Sequence, residues 1–142
     1  PHLPSPLGLR QEIYAGDGWM LLCSCVLMSR VSSHEVKERC IKGFFDMCPT
    51  PSDFAGLDVE ALAACVHSLG FQYERMRGLA DVTNAWLTRG EFAVDNVPCT
   101  KGGNKIVQCG AFAVDSYYVF CKGDAARKVE CGIADVVNFQ KW

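Results

Sequence analysis

No apolar run in the sequence approaches the roughly 20 residues that a membrane-crossing helix needs, so no membrane partner is expected. Cysteine is plentiful, at nine residues, yet no Cys-x-x-Cys and no His pair stands at a zinc spacing. The series Cys99, Cys109, Cys121, Cys131 has gaps too long for a standard site, so neither a metal ion nor an iron–sulfur cluster is expected. The odd count leaves no complete disulfide framework. Cys23, Cys25, Cys65 and Cys121 lie inside apolar segments, where free cysteine acts as a small buried hydrophobe, and this usage fits a reducing compartment. A basic excess is also missing: 14 Lys and Arg against 16 Asp and Glu leave a net charge of -2, which gives no overall pull on phosphate. Basic residues gather only locally, at Arg30, Lys37, Arg39 and Lys42 and at Arg75 and Arg77; such groups form either a binding face or a solvated helix surface. Pro1-His2-Leu3-Pro4 carries neither Met nor a signal-peptide pattern and reads as the start of a domain cut from a longer protein.

What is present describes a single domain over residues 1–142. Apolar residues make up 49% and charged residues 21%, a balance that suits one buried core. A short amphipathic piece from Leu7 to Tyr14 precedes a turn at Gly16-Asp17-Gly18. Asp17 then caps a helix from Trp19 to about Ser29 that is apolar nearly all round, and so is expected at the centre of the molecule. A third helix starts near Ser33 and ends before Cys48-Pro49, and Ser52 is placed to cap a short turn. Asp58 caps a helix with Leu62, Cys65, Val66 and Leu69 at helical spacing, closed by Gly70. Another runs from about Tyr73 to Thr88. A loop is expected from Gly90 to Lys105, a helix from Phe112 to Phe120, and a last helix from Ile133 to Trp142. No strand pair or internal repeat is visible, and the fold class read from this pattern is all-α.

With these elements in order, several segments resemble one family. Ser5-Pro6 through Leu9, Gln11-Glu12, Asp17, Trp19 and Leu21-Leu22 are similar to the first segment of helix-hairpin-helix DNA glycosylases, in particular the methyl-CpG-binding-domain thymine/uracil branch. The similarity continues through Leu27-Met28-Ser29-Arg30-Val31-Ser32, Leu69-Gly70-Phe71 with Arg75 and Arg77, and Asp115-Ser116-Tyr117-Tyr118-Val119-Phe120-Cys121. It ends with Val129, Val136, Phe139 and Trp142. The resemblance implies the endonuclease III-like all-α fold without its iron–sulfur cluster, no cofactor, double-stranded DNA as partner, and a nuclear location.

It also implies roles for individual residues. Such an enzyme extrudes a nucleotide and fills the gap with an apolar wedge and a polar plug; by resemblance these are Leu69 and Arg30. Arg75 and Arg77 join the DNA-binding set. The hairpin holds a phosphate through backbone N–H groups near glycines; the matching stretch is Gln108-Cys109-Gly110, which keeps Gly110, with Lys105 nearby. Phe112 takes the place of a base-pocket tyrosine or a lyase lysine, and a phenylalanine forms no Schiff base. The family's essential aspartate stabilises an oxocarbenium-like sugar and orients water. Its position is Ile133, which does neither. Asp135 is the fallback carboxylate, although two residues along a helix is a rotation of roughly 200°. Asp115 is read as structural or capping.

The resulting expectation is a DNA-binding module of glycosylase fold that has lost catalysis. Mismatched or abasic duplex is the expected target, because unstacking costs less there. Two alternatives stay open: an active monofunctional mismatch thymine/uracil glycosylase of base excision repair, and a scaffold that reuses the groove for a protein partner.

Overall fold

A computed structural model describes residues 5–89 and 109–141. Among them there is no strand, and the helices follow one another as α1 (Arg10–Ile13), α2 (Gly18–Met28), α3 (His34–Met47), a 3-10 turn (Pro51–Gly56), α4 (Val59–Val66) with a further 3-10 turn (His67–Leu69), α5 (Gln72–Arg89), α6 (Ala111–Ser116) running into a π turn (Tyr117–Cys121), and α7 (Ala134–Lys141). The all-α expectation holds. No described helix is long and apolar enough to cross a membrane.

The side chain of Asp17 accepts a hydrogen bond from the Met20 N–H at 3.0 Å and starts α2, where every residue from Leu21 to Met28 is buried. A helix apolar on all sides must be surrounded, and α2 packs on α3, α5, α6 and the π turn. Its N-terminal end lies so close to its neighbours that a Cβ on Gly18 would come within 2.7 Å of Tyr117 and 2.8 Å of Trp86. The next residue, Trp19, donates its indole N–H to the Thr83 hydroxyl of α5 at 3.0 Å, which satisfies the one polar group of a fully buried ring.

The remaining helices use the starts that their sequence offers. Ser33 accepts from Val36 N at 3.2 Å at the start of α3, and Asp58 accepts from Glu60 N at 3.1 Å at the start of α4. The turn after Pro49 is capped by Thr50 and Asp53, joined hydroxyl to carboxylate at 2.8 Å, rather than by Ser52. The first helix is shorter than its amphipathic pattern suggested. The helix expected from Phe112 to Phe120 changes to π geometry at Tyr117. The loop expected from Gly90 to Lys105, Lys105 itself and Trp142 lie outside the described residues.

Candidate nucleic-acid interface

A cavity of about 360 Å³ opens between the C-terminal end of α2, the start of α5 and the start of α6, with Arg30, Phe71, Glu74, Gly110 and Phe112 among its lining. Three of these, Arg30, Gly110 and Phe112, are residues that the sequence reading singled out. Gly110 stands immediately before α6 and accepts from the Val114 N–H at 3.1 Å. Phe112 is half-buried in the wall. The partner half of the expected hairpin falls before residue 109, outside the described residues.

Arg30 and Phe71 stand out at the mouth. They are the two described non-glycine residues with positive φ, at 63° and 50°. For side chains of this size such a backbone costs about 1–3 kcal/mol each and persists only where the surroundings enforce it. Both side chains are exposed, Phe71 at 60%, and the Arg30 guanidinium carbon lies 6.0 Å from the centre of the Phe71 ring. Gly70, at φ 76° and ψ 167°, occupies a conformation that essentially only glycine adopts, and it swings Phe71 away from the helical stripe below it.

Leu69 therefore does not stand where a wedge must stand. It is 6% exposed and lies in the core with Leu62 and Val66. Reaching a DNA stack would mean pulling it out of that core, whereas Phe71 already offers an aromatic ring to solvent beside Arg30. The missed signal was in the spacing: Leu62, Val66 and Leu69 continue one helical face, and Phe71 falls off it after a turn glycine.

Arg75 is also corrected. It is 4% exposed, and its guanidinium is surrounded by carbonyls. Nε donates to Gly70 O at 2.7 Å; Nη1 donates to Val26 O and Leu27 O at 2.8 and 3.2 Å; Nη2 donates to Ser29 O and Leu69 O at 2.8 and 3.4 Å. A guanidinium has five N–H donors, and each has a carbonyl here, so none is left for a phosphate. Burial, and secondarily the charge of Arg30, lower its pKa. Arg77, two residues on, is 71% exposed and 3.8 Å from Asp81 one turn later. It lies on the solvent side of α5 and is not among the residues lining the cavity.

The closing segment is tied down by Asp115, fully buried on α6. Its carboxylate accepts from Arg127 Nε, Glu130 N and Cys131 N, each at 2.8 Å, so the structural role expected for it is the one it has. Arg127 also stacks over Tyr118 at 4.2 Å, and Phe120 packs against Phe139 at 4.3 Å between ring centres, which docks α7. Held this way, Ile133 emerges at the start of α7. Its carbonyl accepts from Val136 and Val137, and its side chain is 42% exposed. Asp135 is exposed too, and neither residue lines the cavity. Ile133, matched by resemblance to the position of the essential aspartate, therefore stands outside the cavity.

Chemically, the described residues lining the cavity offer two guanidinium groups, Arg30 and the carbonyl-bound Arg75, two phenylalanine rings and a single carboxylate, Glu74. Cys25 also lines it, but burial pushes its thiol well above the ordinary range, which leaves no thiolate nucleophile near neutral pH. Among the described residues no group of three His, Cys, Asp or Glu side chains is placed to hold a metal ion.

No protein-family model matches the chain. The chain is similar to a curated protein of Arabidopsis thaliana, the Methyl-CpG-binding domain protein 4-like protein, at 24% identity over 123 residues. The match takes in 87% of this chain and 25% of that protein, so the chain spans about a quarter of the relative's length.

Proposed function

We propose that this domain binds double-stranded DNA through the face that carries Arg30 and Phe71, and that it does so without excising a base. The observation that carries the proposal is the mouth of the cavity. An exposed aromatic ring and an exposed guanidinium, both on strained backbone, stand side by side over a space lined by a second ring. Stored strain of this kind is found at ligand-contacting sites. An aromatic ring that enters a duplex replaces lost base stacking, and a neighbouring arginine supplies hydrogen bonds and charge where a base has left.

The similarity to a protein named for a methyl-CpG-binding domain, and the resemblance of its segments to helix-hairpin-helix DNA glycosylases, support the same reading. The fold proposed is that of those enzymes, and a nuclear location and a link to base excision repair belong to the proposal. Duplexes whose stack is already weakened, by a mismatch or an abasic site, are the preferred targets because less unstacking must be supplied. The absence of excision rests on Ile133, an alkyl side chain outside the cavity at the position where the family places its aspartate.

The test is fluorescence anisotropy with matched, G·T-mismatched and abasic duplexes across a salt series. Binding is expected to weaken steeply with salt and to rank abasic and mismatched above matched. Phe71→Ala and Arg30→Ala should each cost roughly tenfold in affinity, in line with about 1–3 kcal/mol for one stacked aromatic. Absence of binding to every duplex at low salt defeats the proposal and leaves the protein-scaffold reading, which the net charge of -2 favours. A second reading, an active glycosylase, draws on Glu74, whose position in the cavity wall gives that reading a carboxylate.

A further inference from the structure

Arg75 is a buried cation that makes no ion pair with any described residue; all of its donors go to backbone carbonyls. We propose that Arg75 is a positioning residue, a strut that holds the Arg30 turn and the Phe71 turn together in the left-handed conformations that set both side chains at the mouth of the cavity. The inference rests on reading that mouth as the DNA-contacting face, while its geometric half stands without DNA.

The argument lies in which carbonyls are chosen. Ser29 O belongs to the peptide group that leads into Arg30, and Gly70 O to the one that leads into Phe71. Arg75 bonds both, through Nη2 at 2.8 Å and Nε at 2.7 Å. Its own backbone N–H also bonds Phe71 O at 2.9 Å, so the peptide groups before and after Phe71 are both held by this one residue. On the other turn, the group after Arg30 is held by Val31 N–H to Met28 O at 3.2 Å. Each of the two strained residues thus has its flanking peptide planes fixed, and one guanidinium joins the two fixings across more than forty residues of chain. Val26 O and Leu27 O, at the C-terminal end of α2, carry the partial negative charge of a helix terminus, which lets a cation sit here without a carboxylate. A planar fork of five donors is required for this. Lysine offers three donors from one point and cannot span both turns.

The experiment uses the same chain, labelled with ¹⁵N, and the Arg75→Lys variant at a temperature where both are folded. Relaxation measurements should show order lost at the Arg30, Val31 and Phe71 amides together, with α3 and α7 unchanged. Affinity for abasic duplex should fall about tenfold in Arg75→Lys, and by far less when Phe71→Ala is already present, since coupled residues are non-additive. Loss of order spread evenly over the domain, or a fall in affinity that simply adds to that of Phe71→Ala, would overturn the strut. If the unmodified chain binds no duplex, the DNA reading fails and the relaxation data alone decide the strut. If Arg75→Lys does not fold, hydrogen exchange in the unmodified protein decides: Val31 N–H, Gly70 N–H and Arg75 Nε–H should open with one shared protection, and unrelated protections would refute the link.

Discussion

Leu69 and Phe71 are two residues apart and have opposite environments, and Gly70 between them is the reason. Burial gives Leu69 a stabilising role, so Leu69→Ala should cost about 2–4 kcal/mol in a urea unfolding experiment, the range for a core leucine that leaves a cavity. Phe71→Ala removes an exposed ring and should shift stability by less than about 1 kcal/mol. Per folded molecule, Leu69→Ala should bind duplex as the parent does, and Phe71→Ala should not. A Leu69→Ala domain of unchanged stability but weakened binding would restore Leu69 as the wedge. The periodicity of Leu62, Val66 and Leu69 already marked position 69 as core, and the resemblance to wedge-bearing enzymes drew the assignment two residues too early. The backbone of Phe71 was not legible. Positive φ at a bulky residue is not written in local propensity; at Phe71 it goes with bonds from Arg75 to the two flanking peptide groups, and the same guanidinium reaches across the chain to Ser29 O at the other turn.

At the scale of elements, the caps were the most legible feature. Asp17, Ser33 and Asp58 were each read as a helix start, and each accepts a backbone N–H at its helix start. The π turn at Tyr117 was not legible, because its apolar residues fit an α-helix equally well. The first element depends on Glu12 more than on its own propensity. A helix of four residues is too short to stand alone, and the Glu12 carboxylate gathers the segment by accepting from Ser5 N at 2.6 Å, Ser5 Oγ at 2.8 Å and Leu9 N at 2.7 Å. Burial pushes the Glu12 pKa up, but these hydrogen bonds outweigh it and leave the group below its ordinary 4.5. Because the folded value is the lower one, the stabilisation is fully present above 4.5 and is lost as pH falls through that lowered value. Residues 5–13 should therefore detach on acidification before α2 does, visible as early loss of Leu9 amide protection, and Glu12→Gln should loosen them at neutral pH. Equal protection of Leu9 at pH 7 and pH 3 would show that the carboxylate is not what holds the segment.

For the molecule as a whole, the question is whether the cavity proposed to meet DNA could also excise a base. Excision needs a carboxylate that faces the sugar, because positive charge grows there as the bond breaks. The closing helix brings none: Asp115 anchors Arg127, Glu130 and Cys131 so that Ile133 and Asp135 come out on the surface rather than over Phe112. Losing one charge-stabilising group costs about 10²–10³ in rate even when the rest of a site is intact, so the expected result is no base release from G·T or G·U duplexes in single-turnover assays with excess protein. Asp135→Asn should leave that silence unchanged. Glu74 supplies the decisive control, since it is the carboxylate that does line the cavity among the described residues. Release of thymine or uracil that disappears in Glu74→Gln, with duplex affinity retained, would establish an enzyme that took its acid from α5 instead of from the closing helix. Release that disappears in Asp135→Asn would instead require α7 to swing over the cavity when DNA binds, against the hold of Asp115 and the Phe120–Phe139 contact.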